Sequence, residues 1–140
     1  MSNSSDDRLL QILSKNKTIA VVGLSQRPDR PSYTNSAYLQ RQGYRIIPVN
    51  PNLTEALGEK AYASLREIAQ PVEIVDIFRR AEDVPPVVED AIAIGARVVW
   101  MQLGIVNEAA AERAQAAGLE VVMDTCLGAT HRLLRARGEI

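Results

Sequence analysis

The residues best suited to hold an anionic ligand lie in one short loop, residues 23–33 (GLSQRPDRPSY). Gly23 allows the backbone to turn sharply, and Ser25 offers a hydroxyl group beside backbone N–H groups that can cradle a phosphate. Arg27 and Arg30 add fixed positive charge and paired N–H donors, both of which suit phosphate. We therefore predict an anion site in this loop. The alternative is a solvated loop in which the aspartate between the two arginines pairs with them.

This loop lacks the fingerprint of ordinary dinucleotide binding. That fingerprint is G-x-G-x-x-G, followed about 20 residues later by an acidic residue that binds the ribose hydroxyls. Here Ser25 stands where the second glycine would be, and no third glycine follows. The next apolar run ends in Asn50 and Pro51, without an acidic side chain. The pattern disfavours NAD and leaves room for a phosphorylated ribose.

Two more polar segments follow apolar runs farther along the chain. Phe78, Arg79 and Arg80 stand together, and an aromatic ring beside guanidinium groups suits an adenine and a phosphate. The alternative, which stays open at this point, places Phe78 in the core and the arginines in surface pairs with the acidic residues that follow. After the next run, Gln102 offers an amide to a polar ligand group, and Gly104 permits close approach of the backbone.

No catalytic constellation accompanies these binding candidates. His131 is the sole histidine and lies within a predicted helix, so we assign it a structural role. We expect Cys126, the sole cysteine, to be a small buried residue, and Asp124 to cap the last helix. We find no nucleophile–base pair, metal-ligand cluster or P-loop lysine. We therefore predict that this chain binds a ligand without catalysing its turnover.

Five almost continuous apolar runs must position these candidates, and such runs are typical of parallel strands buried on both faces. They cover residues 17–23 (KTIAVVG), 44–49 (YRIIPV), 72–78 (VEIVDIF), 97–103 (RVVWMQL) and 119–123 (LEVVM). Helices are predicted at residues 6–16, 36–42, 84–94, 107–117 and 125–137. Gly43, Gly95 and Gly118 each stand directly before a strand, where a glycine ends the preceding helix.

The alternation of strands and helices predicts an α/β fold. We expect one doubly wound Rossmann-like domain, with helices on both faces of a five-stranded parallel sheet of strand order 3-2-1-4-5. Ligands bind beyond the carboxyl ends of the strands in such sheets. The whole chain, residues 1–140, is predicted to be a single domain with a disordered tail at residues 1–5. Residues 50–71 show only a short helical turn at residues 65–69, and long irregular segments are often functional.

Charge and composition narrow the classes of partner. The net charge of −1 gives no global field that favours nucleic acid or an anionic membrane. The N-terminus lacks the basic and apolar regions of a signal peptide, and no apolar run approaches the roughly 20 residues of a membrane span. A single cysteine cannot form an internal disulfide. We therefore expect a cytoplasmic protein that binds neither nucleic acid nor membrane.

Five segments in this order carry a family resemblance: GLSQRPDRPSY, GYRIIPVNP, VEIVDIFRR, GARVVWMQLGI and AGLEVVMDTC. Over about residues 9–134 they closely resemble the bacterial stand-alone CoA-binding proteins. Those proteins are similar in turn to the N-terminal CoA-binding domain of the succinyl-CoA synthetase α subunit. The resemblance implies a Rossmann-like fold with coenzyme A (CoA) lying across the strand ends.

The resemblance also implies a role for each candidate residue. The CoA phosphates would bind at Gly23, Ser25, Arg27, Arg30 and Ser32, and Asn50 and Pro51 would flank the ligand. The adenosine end would lie near Phe78, Arg79 and Arg80, and the pantetheine arm near Gln102, Gly104 and Ile105.

The expected ligand is therefore CoA or an acyl-CoA, and the expected role is that of a carrier, sensor or regulatory subunit. A second copy of the chain or another protein stays open as a partner. The alternatives are an NAD(P)-dependent oxidoreductase and a non-catalytic subunit of an acyl-CoA ligase.

Overall fold

A five-stranded parallel sheet forms the centre of the structure. The computed structural model describes residues 4–140, with the side chains of residues 4 and 5 left aside. The sheet contains β1 (Thr18–Val22), β2 (Arg45–Val49), β5 (Ile74–Ile77), β6 (Val98–Met101) and β7 (Glu120–Val122). A small hairpin contains β3 (Glu55–Ala56) and β4 (Glu59–Lys60). The helices are α1 (Ser4–Lys15), α2 (Pro31–Arg41), α3 (Val84–Ala93), α4 (Glu108–Ala116) and α5 (Leu127–Ala136).

The strands are arranged in the order β2-β1-β5-β6-β7. The predicted α/β fold with a five-stranded parallel sheet is confirmed, but the predicted order 3-2-1-4-5 is wrong, because the third long strand lies beside the first. The physical reason is Pro48 in β2. Proline has no N–H to give to a second neighbouring strand, so a strand that contains it suits the sheet edge. On the side of β2 that faces away from β1, the carbonyl oxygen of Pro48 accepts a hydrogen bond from the backbone N–H of Tyr62 at 3.0 Å.

Helices cover both faces of the sheet. On one face, which we call the α2 face, α1, α2 and α5 pack over Ile19, Val21 and Trp100. On the opposite face, α3 and α4 pack over Val75 and Val99. The irregular segment between β2 and β5 also covers this second face. It does so through Leu65, Ile68 and Val72, and its predicted helical turn is a 3₁₀ turn at Leu65–Glu67.

The ends of the helices follow the sequence signals in most places. Gly43, Gly95 and Gly118, which follow α2, α3 and α4, have positive φ angles of 97°, 75° and 92°, as expected of helix-ending glycines. Of the predicted tail, residues 1–3 lie outside the described residues, and α1 begins at Ser4. Within residues 4–140, no helix has both the length and the apolar character needed to cross a membrane.

The chain leaves two adjacent strands in opposite directions, which opens a crevice between β1 and β5. After β1 it turns at Gly23 towards α2 and the outer strand β2, and after β5 it continues through Phe78 towards α3 and β6. Gly23 has a φ of 95°, and a Cβ added to it would overlap the backbone carbonyl oxygen of Phe78. The two chain segments therefore meet as closely as a glycine permits, directly below the crevice.

Substituting Gly23→Ala is expected to destabilise the fold more than Gly43→Ala does. Both glycines have nearly the same φ, 95° and 97°, but nothing lies within 4 Å of a Cβ built on Gly43. Gly43→Ala is therefore the control, and its loss of stability reports only the strain of placing an alanine at positive φ, about 1–2 kcal/mol. The collision with Phe78 should add roughly 1–3 kcal/mol at Gly23. Urea denaturation of the two variants measures the difference, and equal losses would contradict the close approach.

Candidate functional site

A cleft of about 450 Å³ opens at the carboxyl ends of β5 and β6, on the α2 face of the sheet. Its walls come from the start of α2, the residues after β5, the residues after β6 and the residue before α5. The lining residues are Pro31, Asn35, Phe78, Arg79, Arg80, Gln102, Leu103, Ile105 and Cys126. The structure thus brings five of the predicted candidates together around one cavity. These are Phe78, Arg79, Arg80, Gln102 and Ile105.

The two arginines after β5 differ in their surroundings. Arg80 is exposed and forms ion pairs with Glu82 and Asp83, at 3.4 and 3.2 Å. Arg79 is half-buried at the cleft and forms no ion pair within residues 4–140. Phe78 lines the cleft and also packs against the apolar core of the α2 face. Surface pairing therefore accounts for Arg80, whereas Arg79 keeps its charge available at the cleft.

Both serine hydroxyl groups in the first loop hold the loop itself in shape. The backbone N–H of Ser25 donates to Ser32 Oγ at 3.0 Å, and the backbone N–H of Arg27 donates to Ser25 Oγ at 3.0 Å. Ser32 is buried in the first turn of α2. These bonds fold the loop back onto the start of that helix, next to the cleft wall formed by Pro31.

The two arginines of this loop are also unequal. Arg27 lies 3.6 Å from Asp29, and the two side chains are 65% and 70% exposed. Arg30 is the residue that precedes α2, and it is exposed without an ion pair in the described part of the chain. Since an exposed pair is weak, Arg27 loses little charge to its partner. Arg30 stands directly before α2, so its charge and the positive end of that helix would attract the same anion.

The end of β2 is tied to the first loop through one amide side chain. Asn50 Nδ2 donates to the backbone carbonyl of Leu24 at 3.1 Å, and Asn50 Oδ1 accepts from the backbone N–H of Asn52 at 2.9 Å. Pro51 is exposed in the turn that follows and does not line the cleft. The structure therefore places Asn50 as a support for the loop after β1 and keeps Pro51 apart from the cavity.

Gly104 belongs to a tight turn beside the cleft rather than to its lining. Its backbone N–H donates to Asp124 Oδ1 at 2.7 Å, which links the turn after β6 to the turn after β7. The predicted capping role of Asp124 is therefore wrong, and the N-cap of α5 is Cys126. Asp124 is held outside the helix with a φ of 52°, where its carboxylate meets Gly104 instead.

Cys126 and Asn35 line the cleft, and sequence reasoning missed both as cleft residues. Cys126 is only partly buried; its thiol donates to Asn35 Oδ1 at 3.1 Å and accepts from the backbone N–H of Ala129 at 3.4 Å. A Cβ on Gly128 would collide with the same Asn35 oxygen. A glycine inside a predicted helix is a signal of close approach, and it could have indicated that α2 and α5 meet here.

His131 is buried between α5 and α2, away from the cleft lining. Its Nδ1 forms a 2.7 Å hydrogen bond with the Tyr38 hydroxyl, and Tyr44 contacts the ring edge to face. Burial lowers the pKa of His131, and the nearby charges of Lys17 and Arg135 lower it further. The predicted structural role fits this position, because the side chain joins two helices.

Asp76 is a buried carboxyl group that the sequence analysis did not single out. It lies in β5 between Val21 and Trp100 of the neighbouring strands and is fully buried. Its Oδ1 accepts from Gln102 Nε2 at 2.5 Å, while Oδ2 has no partner in the described part of the chain. Burial raises the pKa of Asp76 from 3.8 to about 7, although the hydrogen bond from Gln102 opposes the shift.

The contribution of Asp76 to the stability of the fold should fall as the pH rises from about 4 to about 7, the window between its unfolded and folded pKa values. In this window the folded chain keeps a proton that the unfolded chain releases. Asp76→Asn removes this dependence, so its stability relative to wild type should increase with pH, by up to about 4 kcal/mol. Urea denaturation across this range tests it. Ser36→Ala, which removes another unpartnered buried polar group, is the control whose difference should not vary with pH.

Comparison with known proteins places the chain in a family. A family model described as a CoA binding domain matches residues 17–132. The protein YneT of Bacillus subtilis is 47% identical over 135 residues, which cover 96% of this chain and 100% of YneT. A solved structure of a hypothetical protein from Pyrococcus horikoshii has a TM-score of 0.91 and 36% identity, with 96% of this chain and 99% of that chain covered.

A more distant similarity connects the chain to an enzyme. An ADP-forming acetate–CoA ligase of Archaeoglobus fulgidus is 33% identical over 76 residues, which are 53% of this chain and 11% of the ligase. The family model and the full-length relative carry the assignment, and they agree with the resemblance found in the sequence. The chain belongs to the family of CoA-binding domain proteins.

Proposed function

We propose that this chain binds coenzyme A at the carboxyl ends of β1, β5 and β6 without turning it over. The observation that carries the proposal is the largely apolar cleft beside the crevice between β1 and β5, with the unpaired Arg79 in its wall. The membership of the chain in the CoA-binding family supports the choice of ligand.

The lining of the cleft suits the pantetheine arm of CoA. Phe78, Leu103 and Ile105 supply apolar surface for the carbon chain of the arm. Asn35 and Gln102 supply amide groups that match the polar groups of the arm. A cavity that is apolar apart from a few placed polar groups is the usual form of a small-molecule site.

The phosphates of CoA suit the cationic rim of the site. Arg30 stands at the start of α2, and Arg79 stands at the cleft. Both guanidinium groups are without ion-pair partners in residues 4–140, so neither has to leave a carboxylate in order to bind a phosphate. Ser25 and Ser32 then act by holding the loop in shape. The rigid loop lowers the entropy cost of binding.

The side chains in the cleft favour binding over turnover. Of the groups that line it, the thiol of Cys126 is a nucleophile, but the lining contains neither a histidine nor a carboxylate to act as its base. A carrier, a sensor or a regulatory subunit acts by binding its ligand, and it does not need to catalyse a reaction. An acyl-CoA would use the same site, with its acyl group extending from the end of the arm.

Calorimetric titration with CoA, dephospho-CoA and NAD tests the proposal. CoA should bind, and NAD should bind at least tenfold more weakly because β2 ends without an acidic residue for its ribose. Dephospho-CoA should fall between them if a guanidinium group contacts the 3′-phosphate. The absence of heat with CoA at about 1 mM, or tighter binding of NAD than of CoA, would refute the proposal.

Arg30→Ala and Arg79→Ala should each weaken CoA binding by roughly 1–3 kcal/mol, about 5- to 150-fold, because each removes a charge-assisted hydrogen bond to phosphate. Arg27→Ala should cost less, because Arg27 lies three residues farther from the start of α2 than Arg30 does. The measurement is the dissociation constant of CoA by calorimetry.

The control for these variants is Arg97→Ala. Arg97 pairs with Glu73 near the opposite ends of the strands, so its loss should leave CoA affinity unchanged. Unchanged affinity in both Arg30→Ala and Arg79→Ala would move the phosphates to another part of the surface.

A second candidate function is that of a CoA-binding subunit within an ADP-forming acyl-CoA ligase assembly. The similarity to the Archaeoglobus ligase, of which this chain spans 11%, favours it. Such a subunit should bind CoA alone but form no ADP from acetate, CoA and ATP by itself. ADP formation should start when a chain that carries the remaining ligase domains is added. If no such chain associates with this one in gel filtration, the ligase-subunit function is refuted, and CoA binding by the chain alone is the function that stands.

A further inference from the structure

Asp76 is costly to the fold as a structural residue. It occupies the middle of β5 on the α2 face, where Ile74, Val21 and Trp100 are apolar. One of its oxygens is buried without a partner in the described residues. A carboxyl group in such a place lowers stability, and an apolar side chain would fill the position at less cost. The energetic cost indicates that Asp76 serves something other than packing.

Gln102 connects this buried carboxyl group to the cleft. It follows β6, is only 4% exposed and lines the cavity. Its Nε2 donates to Asp76 Oδ1 at 2.5 Å. An amide side chain can turn half a circle and exchange its donor and acceptor ends. In its ionised form Asp76 only accepts hydrogen bonds, so it holds the Nε2 end of the Gln102 amide towards its Oδ1.

This orientation decides what the amide offers to a ligand. With Nε2 committed to Asp76, Oε1 is the end of the Gln102 amide that remains to accept a hydrogen bond. The pantetheine arm of CoA contains secondary amides, each with an N–H donor. An amide N–H that enters a largely apolar cleft leaves its hydrogen bonds to water behind, and binding is weakened if it finds no acceptor there.

We propose that Asp76 is a positioning residue, which holds the Gln102 amide so that its carbonyl oxygen accepts an N–H from the arm of the ligand. The site thereby selects ligands whose arm carries an amide. This inference rests on the proposed binding of CoA. It adds a residue that does not touch the ligand and a chemical requirement on the ligand's arm.

The test compares two ligands across four variants. CoA contains the arm, whereas adenosine 3′,5′-bisphosphate has the nucleotide end without it. Calorimetry is performed on wild type, Asp76→Asn, Gln102→Leu and the double variant. The asparagine amide introduced by Asp76→Asn has an N–H₂ group that can donate to Gln102 Oε1 and turn the glutamine amide around. Asp76→Asn and Gln102→Leu should therefore each weaken CoA about tenfold, the value of one hydrogen bond with its desolvation.

Two readouts separate positioning from a structural role. The affinity for adenosine 3′,5′-bisphosphate should stay within about twofold in all variants, and the double variant should lose no more CoA affinity than Gln102→Leu alone. Ser36→Ala, which removes a different unpartnered buried polar atom, should change neither affinity. Equal losses for both ligands, additive losses in the double variant or no loss in Asp76→Asn would each overturn the inference.

Proton NMR of the wild-type protein keeps the inference testable if Asp76→Asn does not fold. The Gln102 side-chain amide signals, assigned by their loss in Gln102→Leu, should be protected from exchange and should shift on addition of CoA but not of the bisphosphate. Signals that exchange rapidly with water, or that do not shift when CoA is added, would overturn the inference. If wild type binds neither ligand, the proposed function itself fails. If wild type binds both but the variants behave alike, only the role of Asp76 fails.

Discussion

The site depends on one constraint of the fold. The strands β1 and β5 end side by side, and the chain leaves them in opposite directions. The candidate contacts lie at the crevice between β1 and β5 and in the cleft beside it, at the carboxyl ends of β5 and β6. At the base of the crevice, Gly23 lets the loop after β1 rest on the backbone of Phe78. Once that contact is made, the first loop folds back onto α2, and the segment after β5 stands beside it as the wall of the cleft.

Two groups of residues form the candidate site: some hold its loops in shape, and others provide positive charge. Ser25, Ser32 and Asn50 use their hydrogen bonds within the loops themselves. Arg30 and Arg79 have no such commitments within residues 4–140. This division has a physical basis. A preformed loop needs no further ordering when the ligand arrives, and an unpaired guanidinium group leaves no partner behind.

Much of the fold was predictable because its signals are local. The apolar runs mark strands buried on both faces, and a glycine before a strand marks the end of a helix. The strand order was also within reach of the sequence, since Pro48 could have identified β2 as an edge strand. The hairpin of β3 and β4 left no comparable signal, because two-residue strands carry too few side chains to show a pattern. Residues 50–71 looked irregular for that reason.

The candidate site was predictable only in part. Residues whose position follows from the local sequence were found, and residues that depend on contacts between distant segments were missed. Residues directly after strands, such as Phe78, Arg79 and Gln102, were found because parallel strands end at one edge of the sheet. Asn35 and Cys126 were missed because they reach the cleft from helices that meet only after the chain has folded. Asp76 looked like one more position in an apolar run.

The sequence by itself determined the fold class, because apolar runs and helix-ending glycines are local signals, and its motifs carried the resemblance to the family of CoA-binding domain proteins. The tertiary structure alone decided which arginines are unpaired and which hydroxyls are already occupied. It also decided which carboxyl group lies beneath the cleft. These properties depend on distances between residues far apart in the chain, and packing sets those distances.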